Sequence, residues 1–247
     1  MALKIVLNYS PNFDPIKRIS RRIKFIIFHY TGMKSESGAI ERLTNIQSEV
    51  SCHYLIKNKG EIIKIVPDLY IAWHAGKSSW GSFKSLNKNS IGIEITNPGH
   101  EFGYKKFSKK QISALIKLTK FLIKKYKINS KNVLGHSEIA PERKKDPGEK
   151  FPWEYLSKNK IGLWHTLKKK ELIQNRGFKT NKIEREFFFN NLFKIGYSKK
   201  IPKYLNKNTY LRDVTKAFQQ RFRQEAIDGK IDKECLLISS NLLKRYN

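Results

Sequence analysis

Hydrophobic positions along the chain follow two periods, and the changes of period mark out its elements. Phe25-Ile26-Ile27-Phe28, closed by His29 and Tyr30 and bounded by Lys24 and Gly32, is a short apolar run of the kind a buried strand shows. Between Ser35 and Asn45, the residues Ala39, Ile40 and Leu43 fall at helical spacing. The runs His53–Ile56 and Ile62–Val66 flank Asn58-Lys59-Gly60, which predicts a hairpin. Ile91, Ile93 and Ile95 alternate with Gly92 and Glu94, so a strand with one apolar face is expected there. Ser108 is placed to cap a helix reaching Lys125, with Ile112, Leu115, Ile116 and Leu122 on one face. Val133-Leu134 then predicts a short strand ending just before His136. Strands mixed with helices in this order predict an α/β unit with a mixed central sheet flanked by helices.

After Phe151-Pro152-Trp153 a short helix is expected, and the pattern then changes. Lys168-Lys169-Lys170 and Asn175-Arg176-Gly177 are polar and suggest a linker. Three helical stretches follow, Ile183–Ile195, Leu211–Arg223 and Lys233–Tyr246, the last two separated by the turn sequence Asp228-Gly229-Lys230-Ile231-Asp232. The expected organisation is a first unit over residues 1–167, a linker over 168–181 and a small all-α three-helix unit over 182–247.

Charge widens the list of partners before distribution narrows it. Fifty Lys and Arg against 21 Asp and Glu give a formal net charge of +29, which attracts polyanions. The excess is dispersed lysine, as in Asn206-Lys207-Asn208, without the clustered arginine and exposed aromatics of a nucleic-acid face, so no nucleic-acid partner is expected. No apolar run approaches the roughly 18 residues of a membrane span. The stretch Met1–Asn8 is too short for a signal-peptide core and lacks a cleavage site, which predicts a cytoplasmic location, with the cell envelope by another export route as the alternative. Cys52 and Cys235 fall in different units and are expected to be small buried apolar residues.

The chemistry-bearing residues are His29, at the end of an apolar strand, and His136 and Asp146. Two imidazoles and one carboxylate leave the fourth tetrahedral position of a zinc ion open, the arrangement of a catalytic site. Glu94 projects from its strand opposite Ile93 and Ile95 and is a candidate general base. Lys144 shares the loop of Asp146 and is a candidate donor to a developing oxyanion. Trp73 and His74, in a loop with small neighbours, and Asn97, after the Glu94 strand, are candidate substrate contacts. His53 fits a hydrogen-bonded structural histidine, and His100 and His165 have no constellation around them.

The text around these residues resembles the zinc-dependent N-acetylmuramoyl-L-alanine amidases, the superfamily that includes phage lysozyme-type amidases and peptidoglycan recognition proteins. The matching words are Phe28–Met33, Val50–Tyr54, Ala72–Gly76, Ser90–Ile95, Gly135–Ser137, and Asp146–Gly148 through Phe151–Trp153, in the family's order. Ser10–Asp14 at the start resembles the bacterial branch that trims or recycles murein. The resemblance implies one zinc ion on His29, His136 and Asp146, with Glu94 as general base and Lys144 as oxyanion stabiliser. It implies hydrolysis of the amide joining N-acetylmuramic acid to L-alanine, with peptidoglycan or a muropeptide as partner. Some relatives carry a tyrosine in place of the glutamate; here that position corresponds to Cys52. The alternative is a recognition module that binds murein fragments without cleaving them, and the intact ligand set argues against it. Val214–Arg223 followed by Asp228–Asp232 resembles part of a peptidoglycan-binding three-helix unit.

Overall fold

The computed structural model describes residues 3–246. Met1 and Ala2, part of the N-terminal stretch read above, and Asn247, at the end of the helical unit, lie outside the described residues. The elements in chain order are β1 (Ile5–Leu7), β2 (Phe13–Asp14), β3 (Phe25–Tyr30), α1 (Glu36–Thr44), β4 (Tyr54–Ile56), β5 (Ile62–Lys64), β6 (Ile71–Ala72), β7 (Ser79–Trp80), β8 (Phe83–Lys84) and β9 (Ser90–Ile95). They continue with α2 (Lys109–Tyr126), β10 (Val133–Gly135), α3 (His136–Ile139), α4 (Trp153–Lys158), α5 (Lys169–Asn175), α6 (Lys182–Ile195), α7 (Lys207–Phe222) and α8 (Lys233–Tyr246).

Six strands form the central sheet in the order β1-β5-β4-β9-β3-β10. Only the β4–β5 hairpin pairs antiparallel, so the sheet is mixed. Side chains alternate across a strand, and β9 shows what each face does. Ile91, Ile93 and Ile95 join Ile26, Phe28, Tyr54 and Val133 in a core against Ile112, Leu115, Leu118 and Leu122 of α2. Ser90, Gly92 and Glu94 take the opposite face. There the β10 end of the sheet (Phe25, Ile27, Leu134) packs beneath α6, α7 and α8, while Leu55 and Ile63 lie in a smaller cluster with Leu43, Cys52 and Ala72. Between these two packings the C-terminal ends of β3 and β9, at His29 and Glu94, face a cleft.

Local chemistry fixes α2 in place. The Ser108 Oγ accepts from Gln111 N at 3.1 Å and the Gln111 side chain accepts from Ser108 N at 2.9 Å, a reciprocal cap that satisfies two otherwise unpaired donors. Gln111 Nε2 also donates to Thr96 O at 2.7 Å, tying the helix start to the end of β9.

Three features differ from the expectation drawn from the pattern. The N-terminal apolar patch is an edge strand, β1, paired parallel with β5. Residues 168–181, expected as a linker, contain α5, whose Leu172 is buried. The C-terminal helices do not close a core of their own, because Phe188, Leu192, Val214 and Phe218 share one cluster with Phe25, Ile27, Leu134 and Ile139 of the sheet unit. Both cysteines are buried and free.

Candidate active site

Backbone pairing sets out the site. In the parallel register of β3 and β9, His29 stands opposite Glu94. On the other side of β3, Gly135 pairs with Phe28, so His136, the next residue, comes level with His29. Three adjacent strands thus bring His136, His29 and Glu94 into a row. Asp146 joins them on a loop whose carbonyl accepts from Ser137 N at 2.9 Å, directly beside His136.

His29 Nδ1, His136 Nδ1 and Asp146 Oδ2 converge at 2.9–3.0 Å from one another. Their neighbours decide where the protons are. Ser90 Oγ donates to Leu86 O at 2.6 Å, so at 3.1 Å it accepts from His74 Nε2. His74 Nδ1 is therefore an acceptor, and His29 Nε2 donates to it across 3.0 Å. His136 Nε2 faces only a carbonyl, Ala75 O at 3.2 Å, and must also carry its proton there. Both Nδ1 lone pairs then point at a carboxylate oxygen with no proton between them. That arrangement is repulsive unless a cation sits among the three, so the donor set fits a metal ion. Two imidazoles and a carboxylate match the ligand chemistry of catalytic zinc.

Electrostatics agrees. Burial, with His136 adding, lowers the His29 pKa to about 4, which keeps the ring neutral and able to ligate. Burial alone would raise the Asp146 carboxyl, but His136 and His29 bring it well below the usual carboxylate range. For Glu94, burial and then the charge of Asp146 push the carboxyl well above its usual range, with Lys144 pulling the other way. Its Oε2 is buried and has no hydrogen-bond partner among the described residues.

These groups line a cleft of about 610 Å³ that also takes in Trp73, Arg42, His100 and Lys144. Arg143 donates from Nε to Lys77 O at 3.0 Å and from Nη2 to Ala75 O, which pins the 143–146 loop and leaves Lys144 on the cleft wall. Trp73 Nε1 donates to Asp14 Oδ1 at 2.8 Å, and its ring lines the cleft. His74 lines the wall too, but both its nitrogens are taken by His29 and Ser90, so its place is behind His29. Asn97, expected as a substrate contact, is buried outside the lining. It donates to Lys105 O at 2.8 Å and accepts from Gly99 N at 3.1 Å, and so shapes the loop. His53 Nδ1 accepts from Gly92 N at 3.0 Å, a structural bond. His100, given no role from sequence, bridges Tyr30 Oη at 2.9 Å and Glu149 at 3.1 Å on the rim.

A family profile described as N-acetylmuramoyl-L-alanine amidase, Amidase_2, matches residues 19–149. The chain is also 35% identical over 237 residues to N-acetylmuramoyl-L-alanine amidase AmiD of Escherichia coli, covering 91% of this chain and 84% of that one. The chain belongs to the N-acetylmuramoyl-L-alanine amidase family. A solved structure of AmiD in complex with anhydro-N-acetylmuramic acid-L-Ala-D-γ-Glu-L-Lys matches this amidase with a TM-score of 0.78 at 34% identity, over 91% of this chain and 90% of that one. AmpDh3 of Pseudomonas aeruginosa matches at TM-score 0.78 and 31% identity, over 94% of each chain. AmpD of Haemophilus influenzae, a 1,6-anhydro-N-acetylmuramyl-L-alanine amidase, is 39% identical over 168 residues, 60% of this chain and 88% of that one. The mixed sheet and flanking helices of the amidase are those expected from its sequence. What sequence reading missed is Ser90, a small polar residue among isoleucines. The signal was its alternation with Gly92 and Glu94 on the face that carries the site.

Proposed function

We propose that His29, His136 and Asp146 hold one zinc ion, and that this amidase cleaves the N-acetylmuramic acid–L-alanine amide of muropeptides, including those ending in an anhydro sugar. The observation that carries the proposal is the proton-free convergence of two Nδ1 atoms and a carboxylate oxygen beside the unpartnered Glu94 Oε2. A zinc ion on that donor set supplies a Lewis acid that polarises the scissile carbonyl and makes water a nucleophile near neutral pH.

The chain's own groups do the rest. Glu94 Oε2 takes a proton from the attacking water as the new C–O bond forms, and the buried site raises its affinity for that proton. Lys144 Nζ donates to the oxygen on which charge develops. Glu94 then returns the proton to the leaving nitrogen as the C–N bond breaks, which frees the amino group of L-alanine. Trp73 offers a flat apolar wall for the sugar or peptide. Substrates of this kind appear in the complexes of AmiD and AmpDh3, which hold anhydromuramic peptides.

The test offers a soluble anhydromuropeptide to the zinc-loaded protein, with release of stem peptide followed by mass spectrometry. Glu94→Gln should lower kcat by about 10²–10⁴-fold while zinc content stays the same. Chelation should abolish turnover and added zinc should restore it. Full activity in Glu94→Gln, or in metal-free protein, would sink the assignment.

A further inference from the structure

We propose that Arg221, from α7 of the C-terminal helices, is a positioning residue of the metal centre that acts on His136 through Glu138. The inference rests on the reading of His29, His136 and Asp146 as metal ligands.

His136 opens the single turn α3, and the turn is closed by Glu138, whose carboxylate accepts from Gly135 N at 2.7 Å. Arg221 Nη1 reaches both oxygens of that carboxylate, at 2.7 and 2.6 Å. The same nitrogen donates to Val133 O at 3.3 Å, and Nη2 donates to Leu163 O at 3.1 Å. The guanidinium lies over the Trp153 ring at 4.0 Å. One side chain therefore grips the start of β10, the turn that begins with His136, and the floor beneath it. Room has been left for it: a Cβ at Gly162 would come within 2.9 Å of Arg221 Nη2.

Stability alone does not account for this pair. Arg221 and Glu138 are each 2% exposed, and a buried ion pair is often no better than a well-packed apolar pair. Arg221 Nε, moreover, is buried with no hydrogen-bond partner among the described residues. What the pair does supply is position, because Nη1 holds both carboxylate oxygens while Nη2, bonded to Leu163 O, keeps the guanidinium from swinging away. The turn is held from its other side by Ser137 N on Asp146 O. Rotation of the turn would shift His136 and Asp146 together, and with them two of the three donors. Arg221 does not line the cleft, so its influence reaches the chemistry only through this turn.

The experiment uses the full chain and four variants: Arg221→Lys, Arg221→Met, the double variant Arg221→Met with Glu138→Gln, and Phe218→Leu as an interface control. Zinc affinity is measured by competition with a chromophoric chelator, ligand geometry by the visible spectrum of the cobalt-substituted protein, and folding by thermal melting without metal. The double variant removes both buried charges and keeps an acceptor for Gly135 N, so it tests the idea even where Arg221→Met alone fails to fold. Arg221→Lys and the double variant should bind zinc about 10–100-fold more weakly, as loss of a ligand's supporting partner does, with an altered cobalt spectrum. Phe218→Leu should melt at lower temperature with zinc affinity and spectrum unchanged. A folded double variant that holds zinc as tightly as the parent overturns the role of Arg221. So does an equal loss of zinc affinity in Phe218→Leu. A parent protein that binds no zinc overturns instead the metal reading on which the inference rests.

Discussion

At Gly92 two histidines, the structural His53 and the cleft-lining His74, meet one backbone position. Its N–H donates to His53 Nδ1, and a Cβ there would lie 2.4 Å from the His74 ring. Any side chain must displace the ring that receives the His29 Nε2 proton. Gly92→Ala should therefore cost about 1–3 kcal/mol of stability, the usual range for forcing a methyl group into packed space. It should also weaken metal binding, because His29 would be free to change tautomer. A thermal melt and a chelator titration read the two effects; a variant matching the parent in both would show that the His74 ring can move without consequence. At this scale the sequence was informative where a residue's role is written in its own surroundings. Strand ends, alternation and loop position made His29, His136, Asp146, Glu94 and Lys144 candidates, the ordered family-like words around them set them apart, and all five line one cleft. His74 could not be placed behind His29, because its partner Ser90 lies on another element and no local spacing links the two.

Among the elements, α2 and the β4–β5 hairpin are joined by Asp68. Its carboxylate accepts from Tyr54 Oη at 2.5 Å, Tyr126 Oη at 2.6 Å and Lys125 Nζ at 2.9 Å, and it is 4% exposed. Burial would raise this carboxyl, but the hydrogen bonds from Tyr126, Tyr54 and Lys125 outweigh it and hold the pKa well below the usual range. A depressed carboxyl stabilises the fold above its unfolded pKa of about 3.9 and loses that contribution as pH falls toward the folded value. Asp68→Asn should thus lower stability by about 2–4 kcal/mol at pH 7, and the gap should narrow below about pH 4. Melting curves of both proteins across that range provide the check, and a gap constant with pH would mean that Asp68 is not ionised in the fold. Long periodic elements such as α2 and α8 were legible from pattern. Two- and three-residue strands such as β1, β2 and β6 were not, since so few positions carry no period. The start of α7 at Lys207 was missed because its cap, Asn206 accepting from Thr209 N at 2.9 Å, sits in a lysine- and asparagine-rich stretch that reads as turn.

For the whole molecule the decisive fact is the core shared between the sheet and the C-terminal helices. Ala217, Phe218 and Phe222 fall at helical spacing and are buried, but periodicity says which face of a helix is covered and not what covers it. Here part of the cover is Phe25, Ile27, Leu134 and Ile139 of the sheet unit. A chain cut after residue 167 would expose that face, and it should aggregate or fail to melt cooperatively. Recovery of a monomeric fragment with a sharp transition would show that the sheet unit is self-sufficient. Among the described residues no helix is long and apolar enough to cross a membrane.

The row His136–His29–Glu94 gives the molecule a ruler made of main chain. Neighbouring strands stand about 4.8 Å apart whatever their side chains, so the interval between His29 and Glu94 is set by peptide hydrogen bonds. A loop such as 98–102 can be rewritten for a different peptide or sugar without altering the spacing of His29 and Glu94. What is recognised can thus change while the spacing of His29 and Glu94, fixed by a single pairing register, stays as it is.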